Sequence, residues 1–295
     1  MNDNSRRMED FQEWVGRTHT ANDVITAYPL RALSAALGRD DTDADVGTVL
    51  PYLWHWMFFL PAHRPHELRP DGHAHGSGFM PPIPLPRRMW AGSKFSWNND
   101  NPLRVGDSAT RVSRVESINC KPGRTGELVF VKMRHEFQNE SGLSFVNEHN
   151  TAFRGPAERG DPPSAPVATE QVATWQRELI PDEVLLFRYS ALTHNTHRIH
   201  YDWQYATQAE GYPALLVQGP LIATLLIDLL RRERSDARVR SLELKAVRPT
   251  FAGRPMRING RQENNKVLLW AQDHEGWLAM HAAAEIDDAA TSSFS

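Results

Sequence analysis

The segment 219–232, GPLIATLLIDLLRR, places Leu221, Ile222, Leu225, Leu226 and Leu229 at i, i+1, i+4, i+5 and i+8. That spacing predicts an amphipathic helix of about four turns. Pro220 suits its first turn, where a missing N–H costs nothing. Arg231, Arg232 and Arg234 complement the negative end of the helix. Four strand-like runs follow, at 240–247, 255–262, 266–273 and 278–286, with ENN and DHEG as turns between the later ones. A helix with one apolar stripe and an antiparallel meander with one apolar face bury each other. The expected fold class is therefore α+β, a sheet wrapped on a helix.

The first half ends in the same way. Runs at 89–97, 107–120, 126–137 and 144–153 read as strands, and KPGRTGE and QNESG separate the last three. NPLRVGD and RPTFAGRP hold the same place before the second strand of each set, a faint internal repeat. The first half offers only shorter helical candidates, at 26–37 and 51–59, so its central helix is expected to be reduced and the cavity beside it wider. Residues 155–170, GPAERGDPPSAPVATE, read as a linker between halves at 1–154 and 171–295. In the second half, 185–191 reads as a strand and 201–209 as a short helix with Asp202 near its start.

Composition excludes several classes. The chain has 295 residues, 40% hydrophobic and 23% charged, which suits a globular protein with a sizeable core. A net charge of −3 argues against a general nucleic-acid binder. Cys120 is the only cysteine, so no intramolecular disulfide forms, and it reads as an inert small residue. The first residues, MNDNSRRMEDFQEW, lack the apolar core of a signal peptide. The longest apolar run, 52–61, is about half a membrane span. The expectation is a cytoplasmic protein with neither a nucleic-acid nor a membrane partner.

The most polar turn between structured segments is in 188–202, RYSALTHNTHRIHYD. It holds Asn195, His197 and His200. An imidazole moves protons near neutral pH, and an amide five residues earlier could hold a water for it. The pattern points to acid–base chemistry on water. Each residue also has a plainer reading: His200 packs under the next helix, Asn195 stabilises its own turn, and Gly219 is only a helix-start glycine. His194, His197 and His200 at i, i+3, i+6 invite a zinc reading. The irregular turn and the want of acidic neighbours beyond Asp202 weigh against it, and no metal is expected. His73 and His75, in DGHAHGSGF, read as a loop without a ligand role. Arg87, Arg88, Arg248 and Arg254 could bind phosphate or carboxylate, or be surface charge. Trp54, Trp56, Phe58 and Phe59 line the widened cavity or form plain core.

The order helix plus meander, twice, with RYSALTHNTHRIHYD ahead of the intact helix, resembles the MaoC-like double hot-dog acyl-thioester dehydratases. The specific pieces are ALTHNTHRIHYD and YPALLVQGPLIATLL in the second half. In the first they are WVGRTHTANDVITAYPLRALSAALGRDD, LPYLWHWMFFLP and PLPRRMWAGSKFSW. The resemblance implies two antiparallel sheets, each wrapped on a helix, and a hydro-lyase. The family motif reads G-D-x-N-P-x-H. His200 falls on its final His, and Asn195 falls where the Asp would be. An amide cannot act as a base, so the resemblance gives His200 the proton transfer, leaves Asn195 to orient the water and makes the Gly219 amide the oxyanion donor. Arg87, Arg88, His197, Tyr201, Gln218, Trp54 and Trp56 are the expected substrate contacts.

Family likeness further implies a short branched dicarboxylic acyl-CoA substrate, itaconyl-CoA or mesaconyl-C4-CoA, giving citramalyl-CoA. Coenzyme A belongs to the substrate, no separate cofactor is expected, and a homo-oligomer is. The runner-up is a 3-hydroxyacyl-thioester dehydratase of fatty-acid metabolism. A thioesterase would need an acid aimed at the carbonyl carbon, with only Asp202 and Glu210 at hand. A non-catalytic acyl-CoA binder would be indifferent to loss of His200.

Overall fold

The computed structural model describes residues 11–41, 43–74, 79–85, 87–123, 126–155 and 165–287. Its strands are β1 (Thr18–Val24), β2 (Arg87–Trp97), β3 (Ser108–Gly123), β4 (Gly126–Asn139), β5 (Gly142–Arg154), β6 (Trp175–Leu179), β7 (Val239–Ala246), β8 (Met256–Glu263), β9 (Lys266–Gln272) and β10 (Leu278–Ile286). Its α-helices are α1 (Ala27–Ala36), α2 (Glu183–Leu192) and α3 (Gly219–Glu233).

The sheet order is β1-β3-β4-β5-β2-β7-β10-β9-β8-β6, antiparallel throughout. Read outward from the β2–β7 seam, each half has the same order. The repeat expected from the two meanders is therefore a repeat of topology. The two expected sheets are joined, because β2 and β7 pair from Gly92↔Lys245 to Ser96↔Ser241 and so satisfy edge groups that would otherwise stay open.

The second half carries the intact central helix. In α3 every residue from Leu221 to Leu230 is buried, and it packs on β6, β8, β9 and β10. The corresponding first-half segment forms only a single 3-10 turn, Trp54–Met57. Leu53 (φ 68°) and Phe59 (φ 56°) take left-handed backbone, and the extended Phe58 stops the turn between them. Aromatic rings fill the space a longer helix would take. His55 lies edge-on to Phe95, Phe137 and Phe145, with centroids 4.9–5.6 Å away.

Three expectations need correction. The run 185–191 is α2 and not a strand. Pro181 precedes it, the Asp182 side chain caps it by accepting from the Leu185 amide at 2.8 Å, and Leu186, Tyr189 and Ser190 are buried at helical spacing. The run 51–59 forms only the 3-10 turn. The segment 201–209 is a short turn whose last residues, Tyr205–Ala209, are π-helical, with Asp202 accepting from the Tyr205 amide. Two edge strands, β1 and β6, escaped the sequence reading; both are short and mostly exposed to half-buried. No helix among the described residues is long and apolar enough to cross a membrane.

Candidate active site

His200 ends the 3-10 turn Arg198–His200 and is buried. Its Nδ1 lies 2.9 Å from the Leu216 carbonyl. A carbonyl only accepts, so Nδ1 carries the hydrogen and Nε2 presents its lone pair. Burial lowers the pKa of His200 to about 4, against the Leu216 bond and with His73 assisting. The ring is therefore a neutral base at pH 7. Leu216 is itself fixed: its amide donates to Ile199 O, it bridges to Phe251, and Val217 bonds Thr250. Three residues on, Gly219 opens α3. The imidazole is thus tied to the segment that delivers the helix N-terminus, where first-turn amides lack helical partners and favour negative charge.

Gly219 is required by its neighbour. A Cβ there would sit 2.7 Å from Cε3 of Trp90. Trp90 lies at a bulge in the β2–β5 pairing, between Trp90 and Gly92, and its Nε1 donates to Ser93 Oγ at 3.0 Å. Trp56 meets Trp90 edge-on at 6.4 Å, which places it near the start of α3. Trp54 does not; it is core, under the Arg231 guanidinium at 5.3 Å.

Asn195 plays two parts. Its Oδ1 accepts from the His197 amide at 3.1 Å, the turn-stabilising role. Among the described residues nothing bonds its Nδ2, which can donate to a water oxygen. His197 stands between Asn195 and His200 in the chain, with its ring perpendicular to that of His200 at 5.5 Å. Burial, then His73 and His200, lower its pKa to about 3.

The first half supplies the opposite wall. Cross-strand partners share a face of a sheet, and the β2–β5 register sets Arg88, Trp90, Ser93 and Phe95 opposite Phe153, Thr151, His149 and Asn147. This face is polar where it nears His197. Arg88 is exposed, with neighbouring protein atoms crowding its guanidinium. Burial pushes its pKa below the ordinary arginine value, with Arg69 adding and Asp71 opposing. His149, in reach of Ser93 Oγ at 3.4 Å, is lowered to about 3 by burial, His135 and Arg88.

A second first-half segment, residues 69–74, is seated on the histidine turn. The Arg198 amide donates to Asp71 O at 2.9 Å, and Thr196 Oγ1 donates to Gly72 O at 2.6 Å. Gly72 (φ 90°) allows the contact, since a Cβ would lie 1.9 Å from Thr196 O. The contact brings His73 against His197, ring centroids 4.1 Å apart.

Several expected contacts are placed elsewhere. Gln218 is fully buried, and its Nε2 donates to Leu186 O and Ser190 Oγ; it anchors α2 to α3 and does not face the cleft. The Tyr201 hydroxyl donates to Thr196 O, which makes it a brace for the histidine turn. Arg87 alternates with Arg88 along β2, opposite Arg154. Arg248 is paired with Asp273, and Arg254 donates to His274. His194 turns away to Pro61 O at 2.7 Å, so the three-histidine zinc set is not assembled. His75 lies outside the described residues. Asp202 is ion-paired with Arg198, and Glu210 accepts from the Tyr205 hydroxyl. Burial and Glu127 raise the Cys120 thiol, which keeps it protonated. His73, read from the sequence as a loop residue without a ligand role, instead lies with Asp71 and His197 in one cluster of ligand-type atoms. Sequence reasoning missed Trp90, Asp71 and His149, and only Trp90 left a trace, an aromatic two residues before a strand glycine, the mark of a bulge.

Comparison with known proteins bears on the fold and the family. The family model for hydroxyacyl-thioester dehydratase type 2 matches residues 53–252. The chain belongs to that family and is an enzyme of the hydratase/dehydratase kind. It is 38% identical to mesaconyl-C(4)-CoA hydratase of Chloroflexus aurantiacus over 94% of this chain and 98% of the relative. A MaoC-like dehydratase structure superposes with a TM-score of 0.68 at 12% identity, covering 94% of this chain and 99% of the other. A Mycobacterium tuberculosis protein described as a double hot-dog fold gives 0.56 at 12%, covering 92% and 96%. The expected double hot-dog architecture is the observed one.

Proposed function

We propose that this protein adds water to a short dicarboxylic enoyl-CoA, mesaconyl-C4-CoA or itaconyl-CoA, giving citramalyl-CoA, as the name of its 38% identical relative suggests. The observation that carries the reading is Arg88. It is exposed on β2 within electrostatic reach of His197, and no hydrogen bond to another described residue occupies its guanidinium. In mesaconyl-C4-CoA the free carboxylate sits on the carbon that water attacks, so its cation must flank the base. A buried carboxylate without such a partner is costly. A long fatty chain would need an apolar wall, whereas Arg88, His149 and Asn147 line this one.

In this reading three groups share the chemistry. The Gly219 amide, at the start of α3, receives the thioester oxygen as enolate charge collects there. Asn195 Nδ2 and His200 Nε2 hold the water between them. For mesaconyl-C4-CoA, whose double bond is conjugated with the thioester, His200 takes one proton as the water oxygen bonds to the β-carbon, the π electrons move to the thioester oxygen, and the α-carbon takes that proton back from His200 as the enolate collapses.

The test is incubation of purified protein with mesaconyl-C4-, itaconyl- and crotonyl-CoA, followed by mass spectrometry for gain of one water. Turnover of a dicarboxylic ester well above crotonyl-CoA is expected. A preference for crotonyl-CoA would hand the reading to the fatty-acyl dehydratase, and no turnover of any ester would end it.

A further inference from the structure

Two clusters among the described residues bring three ligand-type atoms close enough to share an ion. In one, Asp273, His274 and Glu275, arginines already hold the donors: Asp273 pairs with Arg248 at 3.4 Å, and His274 Nε2 accepts from Arg254 at 2.8 Å. The other joins the two halves of the molecule. One ligand-type atom from each of Asp71, His73 and His197 lies within 4.8 Å of the others.

A tight hairpin presents the first two. Leu68 bridges Ala74, the Arg69 amide donates to His73 O at 2.7 Å, and the Gly72 amide donates to Arg69 O at 2.9 Å. Asp71 Oδ2 then stands 3.4 Å from His73 Nδ1. That is long for a bond between imidazole and carboxylate, which runs about 2.7–2.9 Å. It matches two neighbouring ligands of one tetrahedral zinc, about 3.4 Å apart when each metal bond is about 2.1 Å. His197 completes the triangle from the second half. Its ring centroid lies 4.1 Å from that of His73, with the planes tilted by 44°. Among the described residues neither ring nitrogen of the half-buried His197 has a hydrogen-bond partner.

We propose that Asp71, His73 and His197 bind a divalent ion of the zinc class, with water in the fourth position, and that the ion clamps the first-half hairpin to the histidine turn. Two imidazoles and one carboxylate suit zinc or cobalt, whereas calcium and magnesium take oxygen ligands. Backbone bonds already seat the hairpin, from the Arg198 amide to Asp71 O and from Thr196 Oγ1 to Gly72 O. Side-chain rotation alone therefore draws the donors together. The carboxylate is oriented from outside the site, its Oδ1 accepting from the His73 amide at 2.9 Å. Three cations lie nearby. Arg198 is neutralised by Asp202 at 2.7 Å, Arg88 is exposed to screening solvent, and Arg69, 3.5 Å from Asp71 Oδ2, leaves that oxygen a second lone pair. They weaken the site without closing it. Because His197 also neighbours His200, the clamp steadies the turn that carries Asn195 and the buried base.

The test uses untagged full-length protein freed of metal with a chelator. It needs no substrate, so its outcome is independent of the hydration reading. Calorimetric titration with zinc should show one site per chain, cobalt should give the visible absorption of a tetrahedral ion, and zinc should raise the melting temperature. His73→Ala and His197→Ala should each lose more than about 100-fold in zinc affinity, since even the outer partners of a ligand are worth about 10–100-fold. Asp71→Asn keeps the shape of the side chain and should also bind more weakly, which decides the matter if an alanine variant fails to fold. His274→Ala should bind as the wild type does. Absence of zinc binding by the wild type would overturn the site, as would unchanged affinity in the folded variants or loss of binding in His274→Ala. Melting of each metal-free variant at the wild-type temperature shows that lost affinity reports the ligand and not the fold.

Discussion

The segments that follow α1 and α2 occupy equivalent places in the two halves, yet they use their polar residues in opposite ways. After α1, Arg39 donates to both oxygens of Asp41 at 2.9 Å and to Asp228 at 2.6 Å. Arg177 and Arg232 also reach Asp228, and Arg231 reaches Asp41. Every one of these charges has a partner, and the network locks the first half onto the far end of α3. After α2, Asn195 Nδ2 and the accepting nitrogen of His200 have no such partner among the described residues. Saturated polar groups stabilise a fold; unsaturated ones in a cleft are available to a substrate. A cavity of about 380 Å³ lined by Tyr52, Trp97, Asn99, Arg231 and Arg238 lies at the first-half mouth, by the C-terminal end of α3. Arg231 stands 12 residues from Gly219, about 18 Å along the helix, so this cavity lies away from the candidate site.

The contrast can be broken most sharply at its two centres. Replacing His200 by Ala should lower kcat by about 10²–10⁴-fold while leaving the melting temperature near wild type, measured by steady-state assay and calorimetry. Replacing Asp228 by Ala should do the reverse. It strips a buried carboxylate from three arginines and should cost about 3–5 kcal/mol of stability in denaturant titration, with kcat of the folded fraction unchanged. Should Asp228→Ala abolish turnover in folded protein, the division between the two segments would fail. Arg88→Met should cost about 10–100-fold in kcat/KM for a dicarboxylic ester and spare crotonyl-CoA, a difference of about 1–3 kcal/mol in competing assays.

Smaller effects sharpen the picture. Gly219→Ala should destabilise by about 1–3 kcal/mol through collision with Trp90, and Trp90→Leu should relieve much of that loss in a double-mutant cycle. Acid reads the buried imidazoles together. His55 and His149 are lowered from 6.5 to about 3, and His135 and His200 to about 4. Below pH 6.5 the unfolded chain binds protons that the folded chain refuses. Stability present above that value is therefore lost as pH falls toward the folded pKa values. Activity should persist well below pH 6.5, because His200 stays neutral until its own lowered pKa. A rate that halves at pH 6.5 in folded protein would contradict this account.

Strong periodicity made most of the fold legible. The leucine stripe of α3 and the alternating runs of β7 to β10 are local patterns that tertiary context only reinforces. The segment 185–191 misled because a short apolar run fits strand or helix alike, and the Asp182 cap that decides the matter is one residue outside α2. His200 and Asn195 were visible because they lie in one short turn. Asp71, His73 and Arg88 were not assembled in advance, because they meet that turn across more than a hundred residues of chain, through a β-bulge and a glycine contact. Gln218, expected among the substrate contacts, points into the core, where its amide nitrogen bonds α2.

The seam between β2 and β7 carries a consequence of its own. Two halves that paired as separate copies of one polypeptide would have identical mouths, and any change would strike both. Joined in tandem, they vary independently. One could give up its helix, fill the gap with aromatic rings and lend Arg88 and Asp71 to its neighbour, while the other kept the base and the helix N-terminus. The asymmetry of this enzyme is thus something a symmetric pair could not have reached by single substitutions.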